Sequence, residues 1–391
     1  MGAGVYQLPL IKKAKDLGLY VIVVSIPGRY PGLAIADRVY EVDTRDGESV
    51  CRVAKEEKID GIATTGTDVA SMSIGKVCEE LGVPGISMRV AETFSDKLAM
   101  KKALSEAASV AEYRSVSTVE EAQEAAEAIG YPVVLKPLDL SGSRGISKVN
   151  KAEEIPDAWD KACSASKKRC FLVEEFIEGT EIGLDIFVES GEVKAFFPHD
   201  KQNIYVDGIG IPAGHSFPCS IDSFTERRLR DSVSKLIRAS DLGTCAMNAD
   251  IMITKDGTPY FIEVGARCGA TCIPELIQYY SGIDYYAQIL NSSLGEELDF
   301  SVLKEEACQA RLLFSRMDGM VNSIDYNRIE RLKREKGLDI KLDIDAGDRV
   351  RKVTKGSDRI GHVIASGKTT ITESLIYSIT DCIEILGVDD E

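Results

Sequence analysis

Two acidic residues flank a short turn, in a pattern that suits a metal ion. Asp250 and Glu263 are thirteen positions apart, and the turn 255–258 between them separates the apolar segments 245–254 and 259–264. Apolar segments around such a turn predict a β-hairpin, which brings the two carboxylates side by side. Adjacent carboxylates repel unless a cation lies between them, and Mg²⁺ takes one or two carboxylates together with phosphate oxygens. The hairpin therefore predicts a magnesium site beside a phosphate.

Two lysines and a glycine-rich loop supply the positive groups that a triphosphate requires. Lys136 ends the apolar strand expected at 132–138, where a cation is costly unless it faces an anion, although a solvated strand-end lysine is the alternative. In the loop that follows, backbone N–H groups can turn toward phosphate oxygens, but a plain hairpin turn also uses serine and glycine. The candidate phosphate ligands are Lys97, Lys136, Ser141, Gly142, Ser143, Arg144 and Gly145.

The segment 171–181 offers groups for a nucleoside. Backbone amides and carbonyls between two strands pair with an adenine edge, and a carboxylate past the next turn suits ribose hydroxyls. Acidic residues at strand rims are also ordinary surface features, so this alternative stays open. The candidates are Glu174, Glu175, Phe176 and Ile177 for the base and Glu181 for the ribose.

Arg267 follows the second hairpin acid by four positions. A guanidinium near a metal-bound phosphate suits a carboxylate substrate or an acyl phosphate, and an acid–arginine surface pair is the alternative. The neighbouring Cys268 is expected to be a small apolar residue rather than a nucleophile. His199 has no partner at metal-ligand spacing, and we expect it to be structural.

Composition limits the kinds of partner. The 391 residues include 47 basic and 63 acidic side chains, and the net charge of −16 disfavours a nucleic-acid partner. The chain has no apolar run of about 18 residues and no secretory pattern, which predicts a cytoplasmic protein without a membrane partner. Its ten cysteines form no CxxC pair, which predicts reduced thiols.

Two short motifs are dismissed as nucleotide sites. The segment 361–369 has five residues between its glycines, whereas a P-loop requires four. The segment Gly2-Ala3-Gly4 lacks the third glycine of a dinucleotide-binding fingerprint.

Helices and strands alternate through the first 90 residues, and this alternation predicts a parallel doubly wound sheet. One of its strands is expected at Gly61–Thr65. The first residues resemble a turn that follows a strand, so we expect a first strand upstream of Met1. Later segments predict a strand at 192–197 and a final helix near Thr370–Leu386.

Taken in order, these segments resemble the ATP-grasp superfamily. The chain is most similar to L-amino acid ligases and more distantly similar to carbamoyl-phosphate synthase large subunits and biotin carboxylase, and the tail 356–367 resembles the ligases' C-terminal region. The resemblance implies an α/β and α+β fold in four parts. These are a Rossmann-like domain at 1–92, a small ATP-grasp subdomain at 93–172, a large subdomain at 173–305 and an α+β cap at 306–391.

The resemblance also implies roles. Lys97, Lys136 and the loop 141–145 would bind ATP phosphates, the segment 174–177 adenine, and Glu181 the ribose. Asp250 and Glu263 would coordinate one or two Mg²⁺ ions, for which Mn²⁺ is an expected substitute, and Arg267 would stabilise the intermediate.

The implied activity is carboxylate–amine ligation of small molecules, with a homodimer as the default assembly. A bicarbonate-using carboxylase or carbamoyl-phosphate-type enzyme and a non-catalytic ATP-binding protein are the alternatives. The chain departs from the family pattern at Gly265, where many members have asparagine, and at Asp250, where glutamate is commoner.

Overall fold

The computed structural model describes residues 1–138, 145–206 and 209–387. The predicted loop residues Ser141 to Arg144 lie outside these ranges. The helices are α1 Leu8–Asp16, α2 Gly47–Glu57, α3 Ser71–Leu81, α4 Met88–Ser95, α5 Lys97–Ser105, α6 Val119–Ile129, α7 Ile155–Ala165, α8 Ser223–Ser240, α9 Ile273–Ser281, α10 Tyr285–Leu294, α11 Tyr326–Lys336 and α12 Glu373–Thr380.

The strands within the described ranges belong to four sheets. They are β1 Ile22–Ser25, β2 Arg38–Glu41, β3 Tyr113–Val116, β4 Val133–Pro137, β5 Ser147–Val149, β6 Phe171–Glu175, β7 Thr180–Glu189, β8 Glu192–Val206, β9 Ile209–Phe217, β10 Cys245–Ile253, β11 Pro259–Gly265, β12 Cys308–Phe314, β13 Gly319–Ile324, β14 Leu338–Leu342, β15 Arg349–Val350, β16 Arg359–Ser366 and β17 Ile383–Leu386.

The N-terminal region pairs β1 with β2 in parallel, with α1 to α3 around them, as the alternating pattern predicts. The strand predicted at Gly61–Thr65 is wrong, because two carbonyls of this segment accept hydrogen bonds from polar groups that lie outside any strand. The Met1 ammonium donates to the Ala63 carbonyl at 2.9 Å, and Gln7 Nε2 donates to the Thr65 carbonyl at 2.6 Å. The expected upstream strand stays a prediction.

The central sheet has eight strands in the order β11-β10-β7-β8-β9-β12-β16-β14. One face packs on α8, where Leu229, Val233 and Leu236 meet Ile251 and Phe261 in a continuous core. Strand β8 runs nine residues beyond the predicted end at 197, and β9 pairs beside it. The sheet is therefore larger than the sequence indicated.

A smaller sheet, in the order β3-β6-β4-β5, carries Lys136 on β4 and Glu174 on β6. Helices α6 and α7 cover one side of it, and the Trp159 ring packs edge-on against Phe171 with the ring centroids 4.7 Å apart. Helix α6 begins after its N-cap residue Thr118, whose side chain accepts from the Glu121 amide at 3.1 Å.

The C-terminal region differs from its prediction. The final helix stops at Thr380, and Ile383–Leu386 forms β17 instead. Strand pairing explains the change, since Ile385 lies opposite Val321 of β13, and β-branched residues fit such a pair better than a helix.

Two expectations from composition can be compared with the fold. None of the described helices combines the length and the apolarity that crossing a bilayer requires. All ten cysteines lie in the described ranges and are free, and their reduced state stays a prediction.

Candidate functional site

One face of the central sheet carries a row of polar side chains, which we call the polar sheet face. Side chains alternate along a strand, so the register places residues from five strands on this face. Asp250 lies opposite both Glu263 and Gly183, and Lys201 lies opposite His215. The residues of the polar sheet face are Glu181, Asp185, His199, Lys201, His215, Asn248, Asp250 and Glu263.

The predicted metal hairpin is confirmed as a structure. Asp250 on β10 and Glu263 on β11 are direct cross-strand partners, with side chains 33% and 48% exposed, so both carboxylates are accessible to solvent. Lys97 Nζ lies 3.8 Å from Glu263 Oε1. The described residues contain no cluster of three or more metal-binding side chains. Two carboxylates therefore fit Mg²⁺ only if phosphate and water oxygens complete its shell, which is the arrangement that Mg²⁺ prefers.

Lys201, which was not predicted from the sequence, links the predicted ribose and metal ligands. Its Nζ lies 2.6 Å from Glu181 Oε1 and 2.7 Å from Asp250 Oδ1, and its side chain is 4% exposed. Asn203 Nδ2 donates to the second Glu181 oxygen at 2.8 Å. Burial alone would lower the pKa of Lys201, but Asp250 and Glu181 outweigh it and raise the pKa, so Lys201 carries a positive charge between two acids.

Glu174 is the centre of a buried three-residue ion network. Its two oxygens contact the ammonium groups of Lys101 and Lys136, and Lys101 is fully buried. Burial alone would raise the pKa of Glu174, but Lys136 and Lys101 outweigh it and lower the pKa. Burial also lowers the pKa of Lys101. The network ties α5, which begins at Lys97, to the two strands that carry the predicted phosphate and adenine ligands.

The rest of the predicted nucleoside segment is largely occupied by backbone pairing. The amides of Glu175 and Phe176 donate to the carbonyls of Glu112 and Pro132, at 2.8 and 3.2 Å. Glu175 is exposed, whereas Ile177 is buried. Adenine binding by 174–177 and ribose binding by Glu181 stay predictions.

Gly145 is the part of the glycine-rich loop that the structure describes. Its φ is +72°, and a Cβ there would lie 2.8 Å from the Ala165 Cβ. The position therefore requires glycine on two grounds, the backbone conformation and the space. Phosphate binding by the loop stays a prediction.

Arg267 lies at the end of a hydrogen-bonded chain across the polar sheet face. Its Nη1 donates to Asn248 Oδ1 at 3.1 Å, and Asn248 Nδ2 donates to Asp185 Oδ2 at 2.8 Å. Asp185 is fully buried, and its other oxygen accepts from the Gly269 amide at 2.7 Å. Arg267 Nη2 lies 2.7 Å from Asp68 Oδ2 of the N-terminal region. The predicted arginine is thus held directly by two side chains, Asn248 of β10 and Asp68 of the N-terminal region.

Cys268 and the two histidines of the polar sheet face are buried. Cys268 is buried, and burial raises the pKa of its thiol, so it is not a thiolate near neutral pH. His199 is fully buried, with its Nε2 3.3 Å from Asp185 Oδ2 and its ring edge-on to His215. Burial lowers the pKa of His215 well below its ordinary value, so that ring is neutral.

Several residues of this site were not predicted, and strand or helix periodicity could have found three of them. Asp185 is four positions after Glu181, and Asn248 is two before Asp250, so both share a face with a predicted ligand. Lys101 is one helical turn after Lys97. Lys201 could have been placed on this face only if β8 had been predicted at its full length. Asp68 has no local signal, because it lies 199 positions from Arg267.

The comparisons with known proteins agree with this geometry. Residues 129–275 match the family described as "ATP-grasp domain". The chain is 28% identical over 268 residues to the alanine–anticapsin ligase of Bacillus subtilis. This alignment covers 62% of the chain and 55% of that ligase, so the chain spans about half the length of this relative.

Solved structures extend the likeness to the whole chain. A phosphoribosylglycinamide synthetase from Anaerococcus prevotii superposes with a TM-score of 0.79 at 28% identity, covering 99% of this chain and 98% of that one. An L-amino acid ligase from Bacillus licheniformis superposes with a TM-score of 0.82 at 20% identity and the same coverage, which shows the fold alone. The predicted fold is confirmed, and residues 129–275 of this chain match an ATP-grasp domain.

Proposed function

We propose that this chain is an ATP- and Mg²⁺-dependent ligase that joins a carboxylate to an amine, with amino acids or dipeptides as substrates. The observation that carries the proposal is the polar sheet face, where a carboxylate pair suited to Mg²⁺ shares one surface with the network that holds Arg267. The ATP-grasp match and the relative named as an alanine–anticapsin ligase support it.

The reaction has two steps. A substrate carboxylate oxygen attacks the γ-phosphorus of ATP, the bond from that phosphorus to the ADP oxygen breaks, and an acyl phosphate forms. The amine nitrogen then attacks the acyl carbon, phosphate leaves, and the nitrogen loses a proton to give the amide. The products are the amide, ADP and phosphate.

The protein contributes positioning and charge rather than covalent chemistry. Lys97 and Lys136 would hold the phosphates, and Arg267 would face the charge that develops on the acyl phosphate. Mg²⁺, held through Asp250 and Glu263, would neutralise phosphate charge. A second metal ion, a cytoplasmic location and a homodimer are further parts of the proposal.

An ADP-release screen tests the proposal. The purified protein is mixed with ATP, Mg²⁺ and pairs of amino acids, with and without bicarbonate, and ADP is measured. We expect release that requires both a carboxylate and an amine and is independent of bicarbonate. Bicarbonate-dependent release without an amine would instead indicate a carboxylase, and ATP binding without turnover on any pair would indicate a binding protein.

The proposed role of Lys136 predicts a difference between two lysines that share one acid. Lys136→Met should lower amine-dependent ADP release by about 100-fold, because it removes a phosphate ligand as well as a Glu174 contact. Lys101→Met removes the other Glu174 contact, but Lys101 is fully buried, so its direct effect on turnover should be much smaller. Equal losses in the two variants, both assayed well below their melting temperatures, would contradict the assignment of Lys136.

A further inference from the structure

The guanidinium of Arg267 is fixed from two sides. On one side Nη1 donates to Asn248 Oδ1 at 3.1 Å and to the Cys268 carbonyl at 3.3 Å. On the other side Nη2 donates to Asp68 Oδ2 at 2.7 Å, with the two side chains 18% and 34% exposed. Burial alone would lower the pKa of Arg267, but Asp68 outweighs it and raises the pKa. Asp68 therefore supplies an acidic partner for Arg267 from the N-terminal region, outside the hairpin.

Asp68 also occupies the space of a missing side chain. A Cβ built on Gly265 would lie 2.5 Å from Asp68 Oδ1 and 3.3 Å from Arg267 Cζ. Gly265 is not among the glycines with positive φ, so its backbone would accept another residue and only the space requires glycine. Asp68 Oδ1 is buried and has no hydrogen-bond partner among the described residues, which agrees with an oxygen packed against the Gly265 backbone.

The loop that carries Asp68 is itself anchored to the loop that carries Arg267. The Gly66 amide donates to the Cys268 carbonyl at 3.3 Å. A Cβ on Gly66 would lie 3.2 Å from the Ala270 Cβ, so the two loops are in close contact. These contacts between the two loops hold Asp68 in position against Arg267.

We infer that Asp68 is a positioning residue for Arg267, and that Gly265 is glycine because the Asp68 carboxylate takes its place. The inference deepens the proposed function and rests on it, since Arg267 is assigned there to the acyl phosphate. It also explains a departure from the family pattern. The position two residues after Glu263 carries no polar side chain in this chain, and a carboxylate from the N-terminal region fills the volume beside it.

Kinetics of two independent variants test the inference. Asp68→Asn keeps the shape but removes the charge, and Gly265→Ala keeps the charge but displaces the carboxylate. Each should lower kcat for amine-dependent ADP release by about 10- to 100-fold, because a charged hydrogen bond to Arg267 is weakened in both. The KM for ATP should stay within about twofold, since neither residue is assigned to the nucleotide. Thr67→Ala in the same loop, where the hydroxyl accepts from the Val69 amide, is the control that should leave kcat unchanged.

A double-mutant cycle separates this account from general damage. In an Asp68→Ala background the space beside residue 265 is open, so adding Gly265→Ala should cause no further loss of kcat. An additive loss would overturn the inference, as would wild-type kcat in Asp68→Asn. Thermal melting identifies any variant that fails to fold, and the remaining variant then decides the question.

A spectroscopic measurement tests the contact without any activity. With both Nη groups held, rotation about the Arg267 Nε–Cζ bond should be slow enough to give separate Nη signals in ¹⁵N-edited NMR, assigned with Arg267→Lys. We expect these signals to merge in Asp68→Asn and in Gly265→Ala, and signals that stay separate in both would contradict the inference. If wild-type protein releases no ADP with any substrate pair, the proposed function fails, while the NMR result still reports on the Asp68 contact.

Discussion

Glu263→Gln is expected to lower amine-dependent ADP release by about 1,000-fold, since metal coordination contributes several kcal/mol and each 1.4 kcal/mol is tenfold. The variant keeps the size of the side chain and removes the charge of one member of the hairpin pair. Glu263 is 48% exposed, so the fold should tolerate the change. The measurement is the rate of ADP release over a range of Mg²⁺ concentrations.

Metal binding gives this prediction a second readout. Free Mn²⁺ is measured by electron paramagnetic resonance in the presence of ADP, for the wild type and for Glu263→Gln. We expect the variant to bind Mn²⁺ more weakly. The control is Asp256→Asn, which removes an acid from the turn at the other end of the same hairpin. Equal Mn²⁺ affinity in Glu263→Gln and the wild type would show that the hairpin is not the metal site.

Glu174→Gln is expected to destabilise the small sheet by about 3–5 kcal/mol, because it leaves two buried ammonium groups without a counter-charge. The chain contains a single tryptophan, Trp159, and it lies in the core of this sheet. Urea unfolding followed by Trp159 fluorescence therefore reports on the relevant part of the molecule. Glu192→Gln, which breaks an exposed pair with Lys194, should leave the midpoint unchanged.

The same variant predicts a dependence on pH. The folded-state pKa of Glu174 is lowered from the ordinary glutamate value of 4.5, so its contribution to stability is complete above 4.5 and is lost as the pH falls through the lower folded-state value. The difference in stability between wild type and Glu174→Gln should therefore shrink as the pH falls below 4.5. A difference in stability that stays constant over that pH range would contradict the claim that Glu174 stabilises the network through its negative charge.

The hairpin was predictable because its signals are local. A turn of favourable composition separates two apolar segments, and the acids lie at positions that a hairpin makes adjacent, as the pairing of Asp250 with Glu263 confirms. The order of the strand, loop and acidic motifs carried the superfamily resemblance in the same way. Local patterns of this kind can be recognised in the sequence because neighbouring residues alone produce them.

The parts that were missed depend on contacts between distant segments. Lys201 was overlooked because the strand was predicted to end at 197, and because only Glu181 and Asp250 on neighbouring strands make the burial of a lysine there favourable. The segment 383–386 was predicted as helix because its partner strand β13 could not be seen. Asp68 belongs to the site through an ion pair that no periodicity indicates.

The transfer of oxygen from the carboxylate to phosphate tests the central claim most directly. The carboxylate of an active substrate pair is labelled with ¹⁸O, and the phosphate released by the enzyme is examined by ³¹P NMR. Activation through an acyl phosphate requires one labelled oxygen in the phosphate for each amide formed, and we expect that result. Amide formation with unlabelled phosphate would contradict the account.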